Sequence, residues 1–290
     1  MMNRNRINFS GYLFIFVPIV LVIIIMLYPF FKAIYYSFNI FNGFSEPVFI
    51  GLKNYINLFS DGKFLISIRN NFIIAFTAPL FVFIPLILAV ILFQNKGYLL
   101  KTTRMLIMLP YAISMTISGI FFKAFLQYNG PINDILNSIG LNFLVNDWIN
   151  NSLTALPIVI LTAFWMDFGL FTVIFLAGLS NLDQEILDAA KVDGVNWFQE
   201  LRYIIIPQLN PIMVFVTALV LIADFRGTFD YIYNLTSGGP GFSTNTLEFL
   251  LFQEGFRYFK MGYACAIGVI IFVIIFIFTS LQIRVMSRRD

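Results

Sequence analysis

Six apolar stretches, most of them about 20 residues or longer, constrain the fold of this chain more than any other feature. An α-helix of about 20 residues, rising about 1.5 Å per residue, crosses the hydrocarbon core of a bilayer. The first stretch lacks a signal-peptide cleavage site, so we interpret it as an uncleaved helix. An all-α fold with six transmembrane helices and both chain ends on one side is therefore predicted. The spans run from about Tyr12 to Phe31, Asn71 to Phe93, Met105 to Gln127, Leu153 to Leu179, Ile204 to Phe225 and Tyr263 to Ile283.

The composition excludes most soluble and enzymatic alternatives. Hydrophobic residues make up 59% and charged residues 11% of the 290 residues, which is more apolar surface than one soluble core could bury. Because the chain has no histidine, an ordinary zinc site and a serine–histidine pair are excluded, and the single Cys265 cannot form a disulfide within the chain. With a net charge of +3 and dispersed basic residues, nucleic acid is a poor candidate partner. We expect no catalytic residue and no metal site.

A polar interval from Asn181 to Pro211 lies between the fourth and fifth apolar stretches and has the features of two short helices. Asn181 is the predicted N-cap of the first, and the acidic residues that follow suit the first turn. Gly194 is predicted to end this helix in the left-handed conformation. A second helical run begins at Trp197 and leads into Ile206-Pro207. The residues expected on one apolar side of the first helix are Leu182, Ile186, Ala189, Ala190 and Val192.

This interval carries a resemblance to a known family. Asp188-Ala189-Ala190, then Gly194 and later Ile206-Pro207, resembles the loop that defines the membrane-spanning subunits of ABC importers, in which Glu-Ala-Ala precedes a glycine and a Leu-Pro. Asp188 replaces the glutamate and Ile206 replaces the leucine. In that family the loop is a coupling helix that inserts into a groove of the ATPase subunit. The alternative is an interfacial helix that only anchors a cytoplasmic loop. The docking residues that the resemblance implies are Asp188, Ala189, Ala190, Asp193 and Gly194.

Other stretches resemble the sugar permeases of this family, of the maltose, glycerol-phosphate and multiple-sugar type. They are Phe49 to Phe59, Leu109-Pro110, Phe175 to Leu179 and Leu235 to Gly241. The resemblance covers nearly the whole chain. It implies one transmembrane permease domain over residues 1–290, with the type I ABC importer permease fold and a cytoplasmic coupling loop at 180–203. Because the chain has no GxxxxGK motif followed by Ser or Thr, it cannot hydrolyse ATP by itself.

The resemblance also implies the partners and the cofactors. We expect a second permease subunit, different from this chain, two ATPase subunits, and an extracytoplasmic binding protein that delivers a sugar or oligosaccharide. No cofactor is expected on this chain, since ATP and Mg are bound by the partner ATPase. The identity of the sugar is not determined by these residues.

Basic residues beside the spans predict the orientation in a bacterial inner membrane. The tails and the short loop from Gln94 to Arg104 carry the clearest excess, which places both termini and the Asn181 loop in the cytoplasm. The residues concerned are Arg4, Arg6, Lys96, Lys101, Arg104, Arg284, Arg288 and Arg289.

A substrate path should show itself as polar or aromatic residues that hydrocarbon would otherwise exclude. Asp167 falls near the middle of the fourth span, where an ionised carboxylate costs several kcal/mol unless it faces water, a partner or a ligand. Carboxylates and aromatic rings also suit sugar hydroxyls and the apolar faces of sugar rings. The resemblance places the path at two stretches, one in the fourth span and one in the outer part of the fifth. The predicted path residues are Trp165, Asp167, Phe168, Gly169, Thr172, Asp224, Phe225 and Thr228.

Alternatives remain open for these residues and for the function. Asp224 can pair with Arg226 or lie in the headgroup layer, Trp165 can be ordinary helix packing, and Asp167 can pair with a second permease. An ion-coupled secondary transporter would use Asp167 as a proton or sodium site, but it leaves the Ala-Ala, Gly and Ile-Pro loop without a role. A membrane-embedded enzyme could pair Asp167 with Asp224, yet no nucleophile or metal set accompanies them.

Overall fold

The computed structural model describes residues 9–94 and 98–286, and these residues are predominantly helical. This confirms the predicted all-α class. Five of the basic residues used to predict the orientation, Arg4, Arg6, Lys96, Arg288 and Arg289, lie outside the described residues.

The chain divides into two compact units, and the first comprises Met1–Ser60 with Leu251–Ile270. Its described elements are α1 (Phe9–Val22), a π-helical turn (Ile23–Leu27), α2 (Tyr28–Ser37), β1 (Asn39–Ile40), β2 (Val48–Phe49), α3 (Lys53–Ser60) and a second π-helical turn (Gln253–Arg257). The two strands are antiparallel, with Asn39 opposite Phe49. The helical run Phe14–Ser37 exposes nearly all of its apolar side chains, as expected of a helix that faces lipid.

The second unit comprises Asp61–Leu250 with Ile271–Asp290. Its elements in the described ranges are α4 (Gly62–Phe76), α5 (Ala78–Gln94), α6 (Tyr98–Ala112), α7 (Met115–Leu126), α8 (Pro131–Ser138), a 3-10 turn (Asn142–Leu144), α9 (Ala155–Leu179), α10 (Gln184–Val192), α11 (Trp197–Glu200), a π-helical turn (Leu201–Ile205), α12 (Ile206–Gln208), α13 (Asn210–Arg226) and α14 (Phe229–Leu235). Two helices belong to both units, α15 (Leu247–Phe252) and α16 (Met261–Met286).

Within the described ranges, four helical runs are long and apolar enough to cross a membrane, and the number rises to six if each of two bent pairs is one span. The straight runs are Phe14–Ser37, Gly62–Gln94, Ala155–Leu179 and Met261–Gln282. The bent pairs are Thr102–Ala112 with Met115–Ser138, at 93°, and Trp197–Gln208 with Asn210–Phe225, at 75°. These six segments correspond to the six predicted spans.

The structure corrects the bounds of two spans and shows that the third and the fifth are bent. The first span ends at Ser37, beyond the predicted Phe31, and the second begins at Gly62 instead of Asn71. The third and fifth are bent because the backbone leaves the helical conformation: Ser114 is extended, and Leu209 precedes an α13 whose first turn contains Pro211. A sequence window of apolar residues cannot distinguish a bent span from a straight one.

The core of the second unit is formed mainly by α5, α9 and α13. Leu86 and Phe175 are fully buried in it, and the cluster continues into the polar interval through Leu187 of α10 and through Leu201. Between helices in lipid, close packing stabilises the contact more than transfer from water does. Outside the membrane, burial of a leucine such as Leu187 stabilises by about 1.5–3 kcal/mol.

Candidate functional site

The second unit contains a cavity of about 220 Å³, and helices α5, α6, α7, α9, α13 and α14 contribute to its wall. Asp167 enters it from α9, Asp224 from the end of α13, and Thr228 from the turn that follows. The sequence predicted these three residues for the path, and the structure brings them together. The other lining residues are Phe81, Tyr111, Met115, Ala163, Leu170, Phe171, Leu219, Val220, Ala223, Gly227 and Tyr231.

Two polar groups of this cavity have no hydrogen-bond partner among the residues that the structure describes. Asp224 is 5% exposed and its Oδ2 is unpartnered; Tyr231 is 2% exposed and its hydroxyl is unpartnered. A buried polar atom without a partner costs about 1–3 kcal/mol. Burial raises the pKa of the Tyr231 hydroxyl above its usual range, and the charge of Asp167 adds to this, so the hydroxyl stays protonated and can donate. Both atoms are therefore suited to a polar ligand.

The position of Asp224 is fixed from α4 through its backbone. Asn71, fully buried, donates from Nδ2 to the carbonyl of Asp224 at 2.9 Å and accepts from the N–H of Leu247 at 2.8 Å. The neighbouring Asn70 donates to the carbonyls of Ser243 and Asn245, both at 2.9 Å. Two adjacent amides of one helix thus hold the end of α13 and the segment that follows the glycine-rich turn at 238–241.

The other predicted path residues do not line the cavity. The Trp165 ring packs against Phe122 at 5.2 Å between centroids, as the packing alternative expected. Phe168 lies against Phe164 at 5.4 Å. Phe225 is 1% exposed and packs against other aromatic rings, with Phe72 at 6.1 Å. The side chain of Arg226 is not among those described, so its pairing with Asp224 stays a prediction.

Gly169 and Thr172 have packing contacts. A Cβ atom at Gly169 would overlap the backbone carbonyl of Ile107, so this glycine is what allows α9 to approach α6. Thr172 is fully buried, and its hydroxyl donates to the carbonyl of Phe168 at 2.7 Å, one turn earlier on the same helix. In a membrane helix this bond satisfies the hydroxyl internally.

The polar interval forms the helix α10, but its N-cap differs from the prediction. Asp183, and not Asn181, caps the helix by accepting from the N–H of Glu185 at 2.9 Å. Asn181 instead donates to the carbonyl of Ala177, on the preceding helix. Either residue type can cap, and the turn after α9 decides which one is placed to do so.

The predicted left-handed glycine is found at the end of α10. Gly194 has φ +74°, its N–H donates to Lys191, and the N–H of Val195 donates to Ala190 at 3.1 Å. These two bonds are those of the Schellman motif. After this turn, Asn196 and Gln199 form a capping box that starts α11 at Trp197.

The prediction of one apolar side on α10 is wrong, because the residues assigned to that side lie on two faces of the helix, one buried and one exposed. Leu187, which was not predicted, and Ala190 are buried, whereas Ile186 is 44% exposed and Val192 is 87% exposed. The docking candidates other than Ala190 lie on the surface. Asp188 forms an ion pair with Lys191 at 3.1 Å, and Ala189, Asp193 and Gly194 are exposed.

Comparison with known proteins decides the family. Residues 55–289 match the family model described as "Binding-protein-dependent transport system inner membrane component". The chain belongs to this family. It is thus an inner membrane component of a transport system, in agreement with its several apolar helices.

Individual ABC transporter permeases are similar over almost the entire chain. The "Probable ABC transporter permease protein YurN" of Bacillus subtilis (strain 168) is 32% identical over 98% of this chain and 97% of that protein. The "Multiple sugar-binding transport system permease protein MsmF" of Streptococcus mutans serotype c (strain ATCC 700610 / UA159) is 30% identical, covering 97% and 96%. These relatives are transport permeases and not enzymes.

A solved structure confirms the importer permease fold. The "Crystal structure of bacterial alginate ABC transporter in complex with alginate pentasaccharide-bound periplasmic protein" contains a chain that matches with a TM-score of 0.84 and 20% sequence identity. The match covers 97% of this permease and 94% of that chain.

Several site residues of this permease escaped prediction from the sequence. Tyr111 and Tyr231 line the cavity, and Asn70 and Asn71 position its wall. The two adjacent asparagines at the start of an apolar stretch were a usable signal, because amides there need partners. Neither tyrosine stands out, since aromatic residues make up 18% of the chain. In the described ranges, no group of three or more His, Cys, Asp or Glu side chains is arranged to hold a metal ion.

Proposed function

We propose that this chain is the membrane-spanning permease subunit of an ATP-driven ABC importer that takes up a sugar or oligosaccharide. The observation that carries the proposal is the cavity inside an importer permease fold, with Asp224 and Tyr231 each presenting an unpartnered polar atom. A carboxylate accepts hydrogen bonds from hydroxyl groups, a phenol donates them, and an aromatic face lies against the apolar side of a sugar ring. The similarity to a multiple sugar-binding transport permease and to an alginate transporter supports the sugar class.

The substrate path in this proposal runs along the cavity. Asp167, Asp224 and Thr228 contact the sugar, together with Tyr111 and Tyr231. The remaining predicted path residues, Trp165, Phe168, Gly169, Thr172 and Phe225, support the helices around it. A second permease subunit, different from this chain, would complete the path.

The loop at 180–203 is proposed to dock the ATPase. Four of the docking candidates lie exposed at α10 and its C-terminal turn: Asp188, Ala189, Asp193 and Gly194. Ile186 and Val192 add exposed apolar surface that no other described part of the chain covers. Ala190, which is buried, lets α10 approach the core closely. ATP and Mg would be bound by two ATPase subunits and no cofactor by this chain. We propose that the loop and both termini face the cytoplasm, and that an extracytoplasmic binding protein delivers sugar to the opposite side.

The test is purification of the tagged chain from its native membrane in mild detergent, with every co-purifying protein identified and the complex reconstituted in vesicles. We expect an ATPase, a second permease and a binding protein, and sugar uptake that requires ATP. A chain that purifies alone, with uptake that persists without ATP while an ion gradient is present, would refute the proposal.

A further inference from the structure

The side chain of Gln94 joins the end of α5 to α11, the second helix of the proposed docking loop. Its Oε1 accepts from the indole Nε1–H of Trp197 at 3.0 Å, and its Nε2 donates to Oε2 of Glu200 at 3.3 Å. The partners lie more than 100 positions further along the chain, at the two ends of α11. One amide thus holds both ends of a four-residue helix.

The chemistry of the three groups fixes the orientation of this amide. An indole can only donate and a carboxylate can only accept, so the amide must turn its oxygen to Trp197 and its nitrogen to Glu200. Glu200 is 8% exposed, and Gln94 is the one side-chain donor to its carboxylate in the described ranges. Since a buried carboxylate without a donor is costly, the contact resists displacement of α11 relative to α5.

Helix α5 reaches from this contact to the cavity. Phe81 of the same helix lines the cavity, and 13 residues of helix at about 1.5 Å each place it about 20 Å from Gln94. Between them, Leu86, Ala89 and Val90 are fully buried in the core. A displacement applied at Gln94 is therefore carried along a packed helix to the cavity wall.

A second anchor of the loop has a different character. Leu187 of α10 is buried in the same core, but an apolar contact has no preferred direction and can slide. The bonds of Gln94 are directional. Of the two anchors, the amide is the one that can transmit a movement of the loop.

We propose that Gln94 is a positioning residue for energy coupling: through Trp197 and Glu200 it connects the docking loop to α5, so that a movement of the loop displaces the cavity wall. This inference rests on the proposed function of the loop. It adds the route by which the movement reaches the substrate path.

The experiment compares sugar molecules imported per ATP hydrolysed in the reconstituted complex, with its own ATPase, second permease and binding protein. Gln94→Leu removes both bonds. We expect ATP hydrolysis to continue and the import per ATP to fall about fivefold or more. Gln208→Leu is the matched control, since Gln208 is exposed at the end of α12 and makes no side-chain hydrogen bond in the described part of the chain. It should keep the ratio of the unmodified complex.

Two further variants keep the test decisive if Gln94→Leu does not assemble. Trp197→Phe removes one bond and retains a ring, and we expect a smaller loss of about two- to threefold in the ratio. Glu200→Gln retains the shape and an acceptor oxygen, so the ratio should stay near that of the unmodified complex.

An unchanged ratio in Gln94→Leu, or in Trp197→Phe where only that variant assembles, would overturn the inference. This includes an assembled variant in which import and hydrolysis fall by the same factor, because the import per ATP is then unchanged. Neither result touches the proposed function, which fails instead if the unmodified complex imports sugar without ATP.

Discussion

Asn71 of α4 donates a hydrogen bond from its side-chain amide to the backbone carbonyl of Asp224, 153 positions further along the chain, at 2.9 Å. Its oxygen accepts from the N–H of Leu247 at 2.8 Å. The carboxylate in the cavity is therefore held in place by a residue that does not line the cavity.

Replacement of the Asn71 amide should lower the stability of the permease and weaken sugar binding, although Asn71 does not line the cavity. Asn71→Leu leaves the Asp224 carbonyl and the Leu247 N–H without their partner, at a cost of about 2 kcal/mol or more. We expect a lower melting temperature of the purified complex and a raised apparent KM for sugar uptake. Asn137→Leu, at an exposed position of α8, is the control and should change neither. Unaltered stability in Asn71→Leu would show that the bridge is not needed.

The two carboxylates of the cavity should be required for uptake and not for assembly. Asp224→Leu removes the hydrogen-bonding group, and we expect uptake to fall about tenfold or more, because a bond to a charged group contributes about 1.5–3 kcal/mol. Asp167→Ala should abolish or redirect uptake in the same way. Asp134→Asn, exposed on α8, serves as the control. Normal uptake with the same substrate range by either assembled variant would remove that aspartate from the path.

The variant Tyr231→Phe tests whether the Tyr231 hydroxyl acts in substrate binding or in folding. It is buried without a partner in the described structure, so its removal in Tyr231→Phe should leave the melting temperature unchanged or slightly raise it. If the hydroxyl bonds to the sugar, uptake should fall about three- to tenfold in the same variant. A lower melting temperature with normal uptake would mean that the hydroxyl has a structural partner instead of a substrate.

Gly194 should tolerate asparagine and reject branched residues. A Cβ atom there meets nothing within 4 Å, so the cost of substitution comes from the left-handed backbone at φ +74°, about 1–2 kcal/mol for an ordinary residue. Gly194→Leu and Gly194→Val should lower the import of sugar per ATP, whereas Gly194→Asn should come close to the unmodified permease. Equal activity of the leucine and asparagine variants would contradict a role for this turn.

The sequence was sufficient to predict what depends on composition and local spacing. The six apolar stretches follow from hydrophobicity alone, and the left-handed turn at Gly194 follows from glycine at the end of a helical pattern. The face of α10 that is buried could not be obtained this way. Leu187 and Ile186 are both apolar, and only the position of the core determines that Leu187 is buried.

The cavity was predictable in part for a similar reason. An aspartate in an apolar span needs a polar environment, so Asp167 and Asp224 were recognisable from the sequence. The neighbours of these aspartates are adjacent to them in sequence, but adjacent residues on a helix point in different directions. Trp165 and Phe168 therefore pack elsewhere, while Tyr231 reaches the cavity from another helix.

The exposed side chains of Ile186 and Val192 have a consequence for the cell that makes this permease. If a subunit covers α10 as proposed, a chain synthesised in excess of that subunit presents these residues to the surrounding solution, where apolar surface promotes aggregation and recognition by proteases. The amount of permease that accumulates should therefore follow the supply of that subunit. Balanced expression of the genes for the permease and for that subunit then matters as much as the expression level of each gene.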